Sequence, residues 1–212
     1  MRMLLSRVHF PVTTLGPGRR IGIWFQGCSI RCRGCVSVDT WSFESGETSV
    51  AAVADALSAW AGEADGVTVS GGEPFDQPEA LAELLEAVRT RVRGDVLVFT
   101  GYPYDRVSLW LARHPDLVDA LVTDPYDPDV PQTLALRGSD NQRLHLLTAL
   151  GRERLSGYAR PLQPTERALD VHVTEDGEVW LAGIPRRGDL DRLTTMLARI
   201  GHQVRTSEGR HS

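Results

Sequence analysis

Cys28, Cys32 and Cys35 are the only cysteines in the chain, and they fall within eight residues. An odd number of thiols argues against a disulfide framework. The C-x3-C-x2-C spacing instead makes a compact loop able to aim three sulfurs at one point, with Gly27 and Gly34 letting the backbone turn tightly. Thiolates clustered in this way suit zinc, copper or iron–sulfur. Structural zinc takes four ligands; no fourth stands at a zinc-finger spacing, and His9 is only a distant candidate. Three cysteines on a four-iron cluster would leave one iron without a protein ligand, open to an exogenous molecule. The spacing favours that reading, with zinc and a redox thiol open beside it.

The elements that must position this loop follow from the hydrophobic pattern. Residues 21–25 (Ile-Gly-Ile-Trp-Phe) read as a strand running straight into the cysteines. Ser49 caps a helix in which Val50, Val53, Leu57 and Trp60 recur at helical spacing. A second strand at 67–69 ends in Ser70-Gly71-Gly72-Glu73-Pro74-Phe75, and a helix with Leu81, Leu84, Leu85 and Val88 on one face follows. A third strand at 95–99 ends in Thr100-Gly101-Tyr102, and the next helix carries Val107, Trp110 and Leu111. Residues 117–122 read as a fourth strand or a helix-to-strand passage, ending in Thr123-Asp124-Pro125-Tyr126-Asp127.

Strand and crossover helix repeated with short links predict an α/β fold with parallel pairing. Ligands in such folds sit beyond the C-terminal ends of the strands. All four loops are therefore expected on one rim, around one pocket. Taken singly, each has a plainer explanation. Gly-Gly-Glu-Pro is a turn, Thr100 a strand end, Asp124 and Asp127 loop caps, and Arg137 and Arg143 ion-paired surface residues.

Beyond this core the pattern weakens. Residues 134–144 read as a polar turn between apolar flanks, and 152–167 as irregular. Residues 171–181 alternate around Glu175-Asp-Gly-Glu178, a hairpin pattern, and Asp189 or Asp191 starts a final helix burying Leu190, Leu193, Leu197 and Ile200. The expected organisation is a core over 1–150, a linker or mobile segment over 151–170, a hairpin and helix packed on the core over 171–206, and a frayed tail over 207–212.

Composition bounds the function. The chain has 212 residues and a formal net charge of −5, and all 23 of its basic residues are Arg. Schiff-base and P-loop lysine chemistry is excluded. A mildly acidic balance without a basic block argues against nucleic acid as the partner. No apolar run approaches the ~20 residues of a membrane span. The first eleven residues hold Arg2, Arg7 and His9 and lack the apolar core of a signal peptide, so a cytoplasmic protein is expected.

Together, Trp24-Phe-Gln26-Gly27-Cys28-x3-Cys32-x-Gly34-Cys35, Trp41 and Ser70-Gly-Gly-Glu-Pro74 resemble the radical S-adenosylmethionine superfamily. Val98-Phe-Thr-Gly-Tyr102, Leu121-Val-Thr-Asp-Pro-Tyr126 and Leu136-Arg-Gly-Ser-Asp-Asn-Gln-Arg143 look like its activating proteins of anaerobic ribonucleotide reductase and other glycyl-radical enzymes. The resemblance covers about residues 8–147. It implies an incomplete parallel β/α barrel of the radical-SAM type, here with a C-terminal hairpin-plus-helix extension. It also implies a [4Fe-4S] cluster on Cys28, Cys32 and Cys35, which serve both as metal ligands and as the catalytic set. S-adenosyl-L-methionine is the implied cofactor, beside Gly71, Gly72 and Glu73, with Gly34 and Val36 next to its adenine. Thr100 and Arg137, from the other matching segments, complete the expected cofactor contacts.

Relatives often carry an aromatic residue or Asn after the third cysteine, where this chain has Val36-Ser37. The implied function is reductive cleavage of S-adenosylmethionine and hydrogen abstraction from a glycyl-radical partner, fed by a flavodoxin or ferredoxin-like electron donor. A radical enzyme acting directly on a peptide or small metabolite is the first alternative, favoured by Val36-Ser37 and the added C-terminal element. A non-catalytic iron–sulfur or zinc module is the second.

Overall fold

Strands β1 (Arg2–Val12) and β2 (Arg20–Phe25) pair antiparallel, and the cysteine loop emerges from the end of β2. The computed structural model describes residues 1–166, 168–173, 179–199 and 201. After the cysteine loop and a 3₁₀ turn at Val38–Thr40, the short strand β3 (Glu47–Ser49) returns to pair with β1. Helix α1 (Val50–Leu57), β4 (Gly66–Gly71), α2 (Pro78–Arg91), β5 (Asp95–Phe99), α3 (Tyr104–Arg113) and β6 (Ala120–Thr123) then alternate. Strand β7 (Arg143–Leu146) and helix α4 (Ala149–Leu155) follow, then the pair β8 (Leu169–Val173) and β9 (Val179–Gly183), and helix α5 (Asp189–Arg199).

The main sheet has seven strands in the order β3-β1-β2-β4-β5-β6-β7. Its centre, β2-β4-β5-β6, is parallel, and its register aligns Ile23, Val69, Val98 and Leu121 in one row. All four side chains are fully buried. These strands are covered on both faces, which explains their near-continuous apolar composition. Ile21, Ile23, Val67, Val69, Val96 and Val98 pack with Val53 and Leu57 of α1 and Leu81, Leu84, Leu85 and Val88 of α2. Residues of intervening parity point the other way: Leu97, Ala120 and Val122 meet Leu155 of α4, and Trp24 meets Ala182 and Trp180 of β9.

The parallel arrangement expected from the alternation therefore holds only for the four central strands. The flanks are antiparallel because no helix intervenes between β1 and β2, or between β6 and β7. A parallel link needs a long crossover, usually helical. The result is a mixed α/β sheet with edges at β3 and β7. Ser49 caps α1 as its type predicts, its Oγ accepting the Ala52 N–H at 3.1 Å. The chain beyond 150 is more ordered than its polarity suggests: Leu155, at the end of α4, is fully buried. The expected β8–β9 pairing is present, while the turn at 174–178, Ile200 and the tail lie outside the described residues. No helix among the described residues is long and apolar enough to cross a membrane.

At the N-terminal edge of the parallel strands, opposite the cysteine loop, Arg20 and Asp95 form a fully buried ion pair at 2.7 Å. Arg20 also donates to Thr68 Oγ1 (2.6 Å) and to the carbonyls of Pro17 and Val67. These bonds clamp the ends of three strands together and leave the opposite rim to the loops.

Candidate cofactor site

The cysteine loop is shaped by three left-handed residues, Gly27 (φ +92°), Arg31 (φ +51°) and Gly34 (φ +71°). Glycine takes that conformation without steric cost; Arg31 does not. The base of the loop is closed by backbone bonds from Gly27 N–H to Thr40 (2.8 Å) and from Cys28 N–H to Trp41 (3.2 Å). The amide of Gln26 adds bonds to the carbonyls of Asp39 and Ser42. Within the loop, Cys35 N–H donates to the Cys32 carbonyl at 3.3 Å, and Ser37 N–H points at Cys35 Sγ at 3.4 Å.

The loops after β4 and β5 are stitched to this one. Glu73 N–H donates to the Gly27 carbonyl at 2.8 Å. The Glu73 side chain is 1% exposed. Its Oε1 accepts the Phe75 N–H (3.0 Å) and the Thr100 hydroxyl (2.8 Å), and its Oε2 accepts the Gly101 N–H (2.9 Å). Burial pushes the carboxyl up to about 7, against the pull of those three donors. Asp76 makes a second tie, accepting Ser29 N–H (2.8 Å) and Ser29 hydroxyl (3.0 Å) from the cysteine loop and the Tyr102 hydroxyl (2.6 Å).

The rim encloses a cavity of about 230 Å³. Cys28, Cys32 and Cys35 line it with Gly34 and Val36, opposite Gly71, Gly72, Glu73, Thr100 and Gly101. Asp124 and Tyr126, from the loop after β6, also reach it. All four loops thus meet at one pocket. Val36 is 39% exposed, placing it toward the mouth. Asp124 is held by the Thr123 hydroxyl and by Arg143, and Asp127 accepts the Asp129 N–H, as loop-capping residues do.

Two of the sequence candidates lie elsewhere. Arg137 does not line this cavity; it is 8% exposed in a second one, donating to the Ala135 and Tyr158 carbonyls. His9, the distant zinc candidate, packs against His172 and Trp180 with ring centroids 3.8 and 3.9 Å away. The two glycines also have a reason that involves no ligand. A Cβ at Gly71 would lie 2.6 Å from Phe25 backbone atoms, and one at Gly72 would lie 2.1 Å from the Gly27 carbonyl oxygen. The loop sequence thus permits the backbone of β4 to press against the base of the cysteine loop.

Sequence patterns gave no sign of two contributors. Asp76 is remote from Ser29 in the chain and carries no local motif. Residues 183–188 and Leu190, from the C-terminal extension, form one wall of the cavity. Nothing in their composition ties them to residues some 150 positions earlier.

By ligand chemistry, though not by convergence of the side chains, the donor set suits a thiophilic group. None of the three cysteines is in a disulfide. Burial raises Cys28 above its ordinary range and pushes Cys32 up to about 11. Ligation would have to displace those protons. The Ser37 amide aimed at Cys35 is the kind of hydrogen bond that tunes a cluster sulfur. Among the described residues, no group of three or more His, Cys, Asp or Glu side chains is arranged to hold a metal ion.

Comparison with known proteins supplies the remaining observation. A family described as a 4Fe-4S single cluster domain matches residues 14–145. The anaerobic ribonucleoside-triphosphate reductase-activating protein of Escherichia coli K12 is 31% identical over 150 residues, spanning 66% of this chain and 96% of that protein. Its counterpart in enterobacteria phage T4 is 29% identical over 135 residues, spanning 61% of this chain and 85% of that protein. The pyruvate formate-lyase-activating enzyme of Clostridium pasteurianum is 33% identical over 125 residues, spanning 55% of this chain and 52% of that protein.

Proposed function

The chain belongs to the 4Fe-4S single cluster domain family and is closely related to the anaerobic ribonucleoside-triphosphate reductase-activating proteins; from this premise we propose that it is a radical S-adenosylmethionine enzyme that activates a glycyl-radical partner protein. The observation that carries the reading is the shared pocket, lined by three cysteines together with Gly71-Gly72-Glu73 and Thr100-Gly101. In this reading the mixed sheet is an incomplete β/α barrel. Cys28, Cys32 and Cys35 would hold a [4Fe-4S] cluster, and the Gly71-Gly72 backbone would bind S-adenosylmethionine. The chemistry such a cluster supplies when bound is one-electron reductive cleavage of S-adenosylmethionine, giving the hydrogen-abstracting 5′-deoxyadenosyl radical.

The chain's own residues supply the rest. The Ser37 amide is aimed at the Cys35 sulfur. Gly34 and Val36 offer a face for the adenine. Glu73 orders two loops rather than holding the ligand's ammonium, because its oxygens already accept three hydrogen bonds. Asp76 and Tyr102 hold the cysteine loop at a fixed distance from β5. A flavodoxin or ferredoxin-like protein is the proposed electron donor.

One observation favours a second reading, in which the radical acts directly on a peptide or small metabolite. Residues 183–188 wall part of the pocket, and a narrower mouth suits a smaller substrate. The deciding experiment is anaerobic. The protein is reconstituted with iron and sulfide, reduced, and assayed for 5′-deoxyadenosine with and without a glycyl-radical protein. Product that vanishes on replacing any one cysteine by Ala supports the chemistry, and a glycyl-radical resonance on the partner supports the activating role. A fully loaded cluster that neither cleaves S-adenosylmethionine nor responds to it spectrally overturns both readings and leaves a binding module.

A further inference from the structure

A second cavity, also about 230 Å³, lies where the loop before β7, the segment after α4 and the C-terminal extension meet. Three guanidiniums line it: Arg137, Arg160 and Arg186. Arg160 has a counter-charge, pairing with Glu166. Arg137 and Arg186 take part in no ion pair among the described residues. Arg137 is more than nine-tenths buried and its Nε finds no hydrogen-bond partner; the buried Nε of Arg186 finds none either. The bonds Arg137 does make, from Nη1 to the carbonyls of Ala135 (3.0 Å) and Tyr158 (3.3 Å), offer dipoles rather than charge.

An uncompensated buried cation is costly, and folded proteins rarely keep one without an anion. No acid among the described residues pairs directly with either guanidinium, although the field of Asp140 reaches Arg137. Asp140 already accepts the Thr133 and Leu134 N–H groups and the Thr133 hydroxyl. Asp170 is taken up by the N–H and hydroxyl groups of Thr13 and Thr14, which line the cavity's far side. Burial draws the Arg137 guanidinium below its ordinary range, so its charge is under strain as it stands. The site is built, not incidental. Gln132 bridges the Arg137 carbonyl to the Pro185 carbonyl, and the Arg160 carbonyl accepts the Ala135 N–H at 3.0 Å.

We propose that this cavity, which adjoins the cysteine pocket and shares Gln132, Ile184 and Arg186 with it, is an oxyanion site that binds a phosphate or carboxylate group on the guanidiniums of Arg137 and Arg186, with Arg160 at its edge. Planar forked donors match both anions, and an arginine is the side chain that stays charged when desolvated. Net positive charge distinguishes this cavity from a neutral void: three arginines stand against one glutamate. The inference does not depend on the radical chemistry of the other pocket.

The test is equilibrium dialysis of the full, cluster-loaded chain against labelled inorganic phosphate and, separately, labelled succinate, at constant ionic strength set by chloride. The expected result is saturable one-site binding of at least one probe. Arg137→Gln and Arg186→Gln should each weaken it at least about tenfold, the worth of a charge-assisted hydrogen bond. Arg113→Gln, at an exposed position on α3, should leave it unchanged. Binding of phosphate alone identifies a phosphorylated ligand, and binding of succinate alone a carboxylate. Absence of saturable binding for both probes overturns the proposal, as does binding that survives in both variants. Arg186→Gln, at a partly exposed position, keeps the test valid if Arg137→Gln does not fold.

Discussion

The hydroxyl of Thr100 donates to Oε1 of Glu73 at 2.8 Å, joining the loop after β5 to the loop after β4 in a place water does not reach. Replacing Glu73 by Gln puts an N–H₂ group opposite a backbone N–H or the Thr100 hydroxyl and leaves a buried donor unmet. The expected cost is about 1–3 kcal/mol in chemical denaturation. Thr100→Val should cost less, and the double variant less than the sum. In cluster-free protein the folded state holds the Glu73 proton up to about pH 7, whereas an unperturbed carboxyl loses it near 4.5. Stability from this group therefore falls as pH rises between those values and is level above them. Glu73→Gln should remove that slope.

Gly72→Ala tests how the glycine loop meets the cysteine loop. Its Cβ would sit 2.1 Å from the Gly27 carbonyl oxygen and 3.0 Å from that of Thr40, both backbone atoms that cannot rotate away. The variant should lose about 1–3 kcal/mol and retain less iron on reconstitution, because the base of the cysteine loop must shift. Gly101→Ala is the contrast. Its Cβ would meet the flexible end of Ile30 at 2.7 Å, so iron content close to that of the parent chain is expected. Equal iron loading in the two variants would contradict this account.

Asp95→Ala removes the carboxylate from a pair in which both side chains are fully buried. The orphaned Arg20 should cost about 3–5 kcal/mol, read from the denaturation midpoint. The pair lies at the opposite end of the strands from the cysteines, so iron bound per folded molecule should not change.

His9, His172 and Trp180 stack at 3.8 to 4.3 Å, and they fasten β8–β9 to β1. Burial, and then the neighbouring His172, lower His9 to about 4, with Asp170 opposing. The unfolded chain binds the proton near 6.5, so stability is complete above that pH and is lost as pH falls toward 4. Tryptophan fluorescence should report the loss through Trp180 and Trp24, which lie 6.0 Å apart. His9→Phe should flatten the response over that window.

Local patterning made the half of the molecule that carries the cysteine pocket readable. Three apolar runs became β2, β4 and β5, each leading into a loop rich in glycine, and parallel pairing brings such loops together. Strand β1 does alternate over Val8, Phe10 and Val12, but Pro11 within the run counts against a strand, and the irregularities in its pairing with β2 leave no local mark. Strand β7 was hidden because it is an edge strand whose Arg143 is exposed. The position of Arg137 depends on contacts with Tyr158 and the extension, 21 and more residues away, and spacing carries no record of those. Arg20 and Asp95 are 75 residues apart, so nothing local connects them.

The backbone bonds from Gly27 to Thr40 and from Cys28 to Trp41 cross the loop below its cysteines. They need no metal to form, and the sheet beneath them has a core of its own. Small zinc domains unfold when stripped, since the ion is their core. Here, filling or emptying the cysteine loop is insulated from the architecture. Under the proposed function, a polypeptide built this way would complete its folding first and receive iron and sulfide afterwards, and loss of the inorganic part would leave a scaffold ready to be loaded again.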